Sequence, residues 1–132
     1  MKGVKPVEIS PEHKLFNLSE AQALLPLLNK ITARYVVELE PLQYRLDRML
    51  SNDPRRAEVE REYELKVCEW RGKVARLGAV AAALWVIEFD VGVGRLNWRY
   101  PELQIAFFRP NGDTIRAKLN DYIDENDPDW AL

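Results

Sequence analysis

Two long stripes of apolar residues, separated by one short turn, constrain the fold of this chain most. The second stripe repeats the spacing of the first, in which apolar side chains recur in steps of three or four residues. Such spacing places them on one face of an α-helix, so the sequence predicts amphipathic helices over residues 17–50 and 53–78. The first stripe consists of Leu24, Leu28, Ile31, Tyr35, Leu39, Leu42, Leu46 and Met49. The second consists of Val59, Tyr63, Val67, Trp70, Val74 and Leu77.

The ends of these helices carry signals that predict a hairpin. Asn17 suits the N-terminal cap of the first helix, and Glu20 is placed to complete a capping box. Asp53 and Pro54 are predicted to cap and open the second helix. Because so short a turn joins two long helices, they are expected to lie antiparallel and adjacent, as in a coiled coil.

Between residues 85 and 118 the helical spacing is replaced by an alternation of apolar and polar residues. This pattern predicts a meander of three or four short strands. Glycines at 92 and 94 supply the first turn, and Pro101-Glu102 the second. Gly78 is a natural helix end, yet residues 79–84 favour helix, so the second helix is expected to end at Gly78 or to run on to Leu84. Alternation predicts an apolar face of Trp85, Ile87, Phe89, Leu96, Trp98, Tyr100, Leu103, Ile105 and Phe107. The opposite face would carry Glu88, Asp90, Arg95, Asn97, Arg99, Gln104 and Phe108.

Together these elements predict a single α+β domain over residues 1–132. A small antiparallel sheet would pack at the open end of a long, coiled-coil-like helical hairpin. Residues 1–14 are polar and are predicted to form a flexible arm. Residues 120–132 are acidic and are predicted to form a mobile tail.

With the hairpin and the meander both in view, the chain resembles a prokaryotic family of unknown function. Its members open with a segment like Phe16 to Ala21, continue with a long helical pair, and end with an LVDF, glycine turn, LCW, RLGE and WH pattern. Here that pattern reads as Val86 to Phe89, a turn at 92–94, Leu96-Asn97-Trp98, residues 99–102, and Phe107-Phe108-Arg109. Asn97 stands where the family usually shows cysteine, and Arg109 where it shows histidine. The resemblance therefore implies the fold, but not any thiol or metal chemistry based on that pair.

Composition excludes several classes of protein. The net charge of −2 argues against a dedicated nucleic-acid binder. One cysteine, Cys68, allows no internal disulfide, and it is predicted to be a partly buried apolar residue. One histidine, His13, leaves no triad or multi-histidine metal site, so neither a metal nor a cofactor is predicted. The opening residues lack the apolar core of a signal peptide, and no apolar run would span a bilayer, which predicts a cytoplasmic protein.

Candidate functional residues gather on the polar face of the predicted sheet. Glu88 and Asp90 lie there, across the first turn from Arg95 and Arg99. These charges predict either cross-strand pairing, worth about 0.2–1 kcal/mol per pair, or a small pocket for an anion. The pocket would be formed by Arg95, Trp98, Arg99 and Glu102. Alternation points Phe108 outward on this face, and its predicted role is either core or edge cover, or half of a protein contact surface.

The lack of a nucleophile in this cluster and the extent of helix surface favour a non-enzymatic interaction or scaffold protein of the bacterial cytoplasm. The alternative is a small-molecule or anion-binding protein, with or without enzymatic activity, that uses the predicted pocket. A third hypothesis is nucleic-acid contact through the hairpin tip, which carries Arg45, Arg48, Arg55, Arg56 and Arg61. The hairpin alone would leave Tyr35, Tyr63 and Trp70 uncovered, so a homodimer that forms a four-helix bundle is also predicted.

Overall fold

A computed structural model describes residues 14–132, so His13 and all of the predicted arm except Lys14 lie outside the described residues. The first helix, α1, spans Leu18–Arg48, and the second, α2, spans Arg56–Arg76. The two helices pack against each other, which confirms the predicted helical hairpin. At 1.5 Å per residue, α1 is about 46 Å long. Among the described residues, no helix has both the length and the apolar character that crossing a membrane requires.

The hairpin is fixed at both ends by hydrogen bonds to backbone groups. The Asn17 side chain accepts from the Glu20 amide and the Glu20 side chain accepts from the Asn17 amide, which confirms the capping box. At the turn, α2 begins three residues later than predicted, because the Asp53 carboxylate accepts from the Arg55 amide and stabilises a turn instead of a helix start. Arg56 Nη1 donates to the carbonyls of Leu46 and Met49, at 3.0 and 3.2 Å, and so satisfies the end of α1.

The second helix ends just before Gly78, as one of the two predictions has it, and the chain after it forms a strand instead of running on as helix to Leu84. Gly78 adopts a positive φ of 91°, which reverses the chain, and β1 then spans Val80–Ala83. This strand pairs antiparallel with β2, Val86–Asp90. The helical preference of the alanines is weak compared with the hydrogen bonds and packing that the neighbouring strand provides.

Three more strands complete the sheet, β3 (Gly94–Arg99), β4 (Phe107–Pro110) and β5 (Ala117–Lys118). Over residues 14–132 the sheet therefore has five antiparallel strands in sequence order, one or two more than predicted. The predicted strand starting at Leu103 does not form. Leu103 is almost fully exposed, and pairing with β3 starts only at Phe107. The α+β architecture is as predicted.

The faces of the fourth strand are the reverse of those predicted, because residues 103–106 lie outside the strand and their alternation does not continue into it. Leu96 lies opposite Phe108 and Asn97 lies opposite Phe107 in the ladder. Directly paired residues of antiparallel strands share a face, so Phe108 points inward with Leu96 and is fully buried. The outward direction predicted for Phe108 is therefore wrong, and of its two predicted roles the one as core is the one it has.

The acidic C-terminal segment is also ordered. It forms a third helix, α3, over Leu119–Asn126, followed by a short 3-10 helix over Asp129–Ala131. Tyr122 and Trp130 pack on the buried Phe108 ring, with ring centroids 4.2 and 5.2 Å away. These aromatic contacts explain why a segment that was expected to be mobile becomes part of the core.

The apolar face of the sheet packs on the hairpin and buries Trp70 of α2, whereas Tyr63 is half-buried. Trp70 is fully buried; its indole N–H donates to Thr32 Oγ1 at 2.9 Å, and its ring packs edge-on against Trp85. Tyr35 is buried as well. Both had been predicted to need cover from a second copy, and one chain covers them.

Candidate interaction surface

The face of the sheet that points away from the helices carries most of its charge, and we call it the polar sheet face. The strand register decides which residues belong to this face. Side chains two residues apart on one strand, and side chains directly paired across two strands, lie on the same face of a sheet. Arg116 and Glu102 join it from the flanking loops through their contacts with each other and with Asn97. The strand members are Glu88, Asp90, Arg95, Asn97, Arg99, Phe107, Arg109 and Lys118.

Glu88 lies at the centre of the polar sheet face and is only 2% exposed. Arg109 donates to both of its oxygens, from Nε at 2.8 Å and from Nη2 at 2.7 Å. Asn97 Nδ2 adds a third hydrogen bond at 2.8 Å, and Arg95 Nη1 lies 3.7 Å away. The cross-strand pairing of Glu88 with Arg95 is thus present, but the stronger partner is Arg109 on β4.

These contacts keep Glu88 ionised despite its burial. Removal from water would by itself raise the pKa of the Glu88 carboxyl. The hydrogen bonds from Arg109 and Asn97, with the positive charges of Arg109 and Arg95, outweigh that effect and hold the pKa below its ordinary value. The same hydrogen bond raises the pKa of the Arg109 guanidinium. A buried, ionised glutamate therefore fixes the positions of the cations around it.

A second group of contacts extends this network toward β5. Arg116 Nη1 donates to Asn97 Oδ1 at 3.2 Å and forms an ion pair of 3.0 Å with Glu102. Its guanidinium lies over the Phe107 ring, 3.7 Å from the centroid, which is a cation–π contact. Glu102 also accepts from the Arg99 backbone amide at 2.7 Å. Asn97 thereby links the Glu88 cluster to the Arg116 cluster.

Other cations of the polar sheet face are not engaged in this way. Within residues 14–132, the side chains of Arg99 and Lys118 make no ion pair or hydrogen bond, and both residues are exposed. Arg95 has only its 3.7 Å contact with Glu88. Among the described residues, the face holds five cationic side chains and three carboxylates, a net charge of +2, whereas the net charge of the whole sequence is −2.

The structure separates the residues of the predicted pocket. Trp98 is fully buried on the apolar face, and its indole N–H donates to the Glu102 carbonyl at 2.7 Å. Arg95 and Arg99 do share the polar sheet face, but they lie four residues apart on one strand, with about 13 Å between their Cα atoms. Arg95, Arg99 and Glu102 therefore belong to an extended surface rather than to one pocket with Trp98.

The sequence did not identify four members of this surface, namely Phe107, Arg109, Arg116 and Lys118. Phe107 takes the place that was predicted for Phe108, because β4 pairs with β3 in the register that sets Phe107 opposite Asn97. The signal that could have found it is the turn at Pro110. Pro110 is paired with Gly94, and following the residue pairs from there along both strands places Phe107 opposite Asn97. No sequence signal indicates that Arg116 folds over Phe107.

At the hairpin tip, three of the five arginines are engaged in contacts within the chain. Arg55 pairs with Asp53, Arg56 binds the carbonyls at the end of α1, and Arg48 lies over the Tyr44 ring. Hydrogen bonds from Arg55 lower the pKa of the Asp53 carboxyl. The tip therefore presents fewer unpaired cations than its composition suggests.

Two further observations concern chemistry at other positions. Cys68 is exposed on α2, which corrects the prediction that it is partly buried. Among residues 14–132, no group of three or more His, Cys, Asp or Glu side chains is arranged so that it could hold a metal ion.

Comparison with protein-family models, with curated proteins and with solved structures gave no match to this chain.

Proposed function

We propose that this protein is a non-enzymatic interaction protein that binds an acidic segment of a protein partner on the polar sheet face. The observation that carries the proposal is the buried, ionised Glu88, which holds Arg109 and Arg95 in a net positive surface. Complementary charge across an interface guides association and excludes partners of the wrong sign.

Several cations of this surface are ordered before any partner arrives. Arg109 donates from Nε and Nη2 to Glu88 and from Nη1 to the Asp113 carbonyl. Arg116 is held by Asn97, Glu102 and the Phe107 ring. Immobilising a long side chain on binding costs about 0.5–1.5 kcal/mol, so arginines that are already fixed reduce the cost of association.

Apolar groups lie among these charges, as is typical of protein interfaces. Phe107 is half-buried beneath Arg116, and the half-buried Val86 lies opposite Arg99 on the same face. Aromatic residues and arginine are enriched in the binding surfaces of proteins. Arg99 and Lys118 add charge at the periphery, where carboxylates of a partner can reach them.

Chemical composition supports a binding role over catalysis. The residues that define the polar sheet face include no serine, threonine, cysteine or histidine. Its carboxylates accept hydrogen bonds from arginine, from asparagine or from backbone amides. Glu88, whose pKa is held below its ordinary value by Arg109 and Asn97, is poorly suited to donate or take a proton near neutral pH.

The proposal predicts salt-sensitive binding of an acidic peptide. A fluorescein-labelled peptide of alternating glutamate and leucine is titrated with the protein by fluorescence anisotropy. We expect saturable binding that weakens several-fold between about 0.05 and 0.3 M salt, because exposed charges are screened. Reversal of charge in the variant Arg95→Glu with Arg99→Glu should weaken binding at least about tenfold, since like charges then face each other.

A matched control is the exposed Arg71 on α2, which lies outside the polar sheet face. Arg71→Glu changes the net charge in the same direction and should leave the affinity within about twofold. Equal weakening by Arg71→Glu would contradict the proposal, as would binding that does not depend on salt. Tighter binding of a single-stranded oligonucleotide than of the peptide would indicate a nucleic-acid partner instead.

A further inference from the structure

A second apolar surface lies on α1, on the side that points away from α2. Val37, Pro41 and Tyr44 follow one another at steps of four and three residues, so they lie on one line along the helix. Val37 is 64% exposed and Tyr44 is 59% exposed, whereas Leu39 and Leu42 on the opposite side are buried. We call these three residues the outer ridge. It borders a shallow groove of about 680 Å³.

We propose that the outer ridge packs against the outer ridge of a second copy, in a short, parallel, two-stranded coiled coil. Spacing of four and three residues is that of alternating d and a positions in a heptad repeat. Val37 and Tyr44 then occupy d positions and Pro41 an a position. The predicted homodimer is thus retained, but it uses the outward side of α1 instead of the buried Tyr35 and Trp70.

Charges beside the outer ridge select the parallel orientation. In this heptad Glu40 occupies a g position and Arg45 the e position of the next heptad, five residues later. In a parallel coiled coil these two positions meet across the interface, which gives two symmetric Glu40–Arg45 pairs. In an antiparallel pair the g positions face each other, so Glu40 would meet a second acidic flank that also holds Asp47.

Neither of these two residues has a charged partner in the part of the chain that the structure describes. Over residues 14–132, neither Glu40 nor Arg45 forms an ion pair, whereas Glu20, Arg34 and Glu38 on the same helix do. Glu38, the other e position, pairs with Arg34 and Lys66, and these cations lower the pKa of its carboxyl. The flank that would meet Glu40 is therefore cationic only at Arg45.

The contact covers about two turns of helix, so the dimer is expected to be weak, with a dissociation constant of about 1–100 µM. At a d position of a parallel dimer, the two Cα atoms lie within the range that a disulfide bridges, about 4.4–6.8 Å. We therefore place cysteine at position 44, as Tyr44→Cys, in a Cys68→Ser background. The matched control is Leu65→Cys in the same background, because Leu65 is 58% exposed on α2.

Under mild oxidation at about 100 µM protein, Tyr44→Cys should form a disulfide dimer of twice 15.4 kDa, and Leu65→Cys should not. Charge reversal provides the second test, by sedimentation velocity without oxidation. Glu40→Arg alone and Arg45→Glu alone should each weaken the dimer about tenfold, and the two together should restore it. Circular dichroism verifies that each variant remains folded.

Three results would overturn this inference. They are a monomeric wild-type chain at about 100 µM, equal cross-linking at positions 44 and 65, and a double charge reversal that stays as weak as the single ones. None of these results concerns the polar sheet face, so the inference can fail while the proposed function holds. Val37→Glu gives an independent readout, because it should abolish the dimer and leave peptide binding unchanged.

Discussion

At the scale of single residues, Glu88 makes the stability of the fold depend on pH. Its carboxyl has a lower pKa in the folded chain than its ordinary value near 4.5, so the folded state binds fewer protons than the unfolded state. The stabilisation is therefore complete above about pH 4.5 and is lost as the pH falls through the folded pKa. Acid protonates Glu88 and weakens its bonds to Arg109 and Asn97.

Replacement by glutamine measures this effect. At neutral pH, Glu88→Gln should lower the free energy of unfolding by about 1–3 kcal/mol, because Arg109 loses a charged acceptor. As the pH falls below about 4.5, wild type and variant should converge. Urea unfolding at a series of pH values provides the measurement. A difference that stays constant down to roughly pH 3 would show that Glu88 does not supply the acid dependence.

Substitution by alanine should have opposite effects on stability at two glycines, Gly94 and Gly72. A Cβ at Gly94 would lie 2.5 Å from Phe108 Cζ and 2.7 Å from the Arg109 carbonyl oxygen. Gly94→Ala should therefore cost about 2–3 kcal/mol. A Cβ at Gly72 meets no atom within 4 Å, and this residue is inside α2, so Gly72→Ala should stabilise the chain by about 0.5–1 kcal/mol. Thermal melting of both variants tests the pair; a neutral Gly94→Ala would contradict the close packing.

At the scale of elements, the hairpin tip depends on one arginine more than on its neighbour. Arg56 satisfies two carbonyls at the end of α1, whereas Arg55 pairs with Asp53 in an exposed position. Arg56→Ala should cost about 1–2 kcal/mol, since it leaves those carbonyls without a partner. Arg55→Ala should have no measurable effect on the urea midpoint, because exposed ion pairs contribute little. Equal effects of the two variants would contradict this division of roles.

The elements that could be predicted are those that repeat a period over many residues. The stripe from Leu24 to Met49 contains enough turns to fix both the helix and its buried side. In contrast, β1 is a short run of valine and alanine whose structure depends on the neighbouring β2. The acidic segment that becomes α3 has few apolar residues, and their partner, Phe108, was assigned to the wrong face.

The polar sheet face could be predicted in part. Glu88, Asp90, Arg95 and Arg99 follow from alternation along two adjacent strands joined by one turn. Arg109 and Phe107 require the register of β4, and that register depends on where pairing starts. An error of one residue moves every side chain of a strand to the other face, which is why Phe108 replaced Phe107 in the prediction.

At the scale of the whole molecule, the two surfaces lie on different elements and can act independently. The polar sheet face belongs to the sheet and the loops beside it, and the outer ridge belongs to the far side of α1. A dimer formed through the outer ridge would carry two copies of the polar sheet face. Two linked copies bind a partner with two acidic segments more tightly than one copy does, because the second contact becomes intramolecular.

The most direct test of the central claim is to map the residues that an acidic peptide contacts on the protein. Two-dimensional nitrogen–proton spectra of the labelled protein, recorded during titration with the glutamate–leucine peptide, report each backbone amide separately. We expect saturable shifts in β3, β4 and β5, centred on Arg95, Arg99, Phe107 and Lys118, with the amides of α2 unchanged. Shifts confined to the helical hairpin, or no saturable shift at low salt, would contradict the assignment of the polar sheet face as the binding surface.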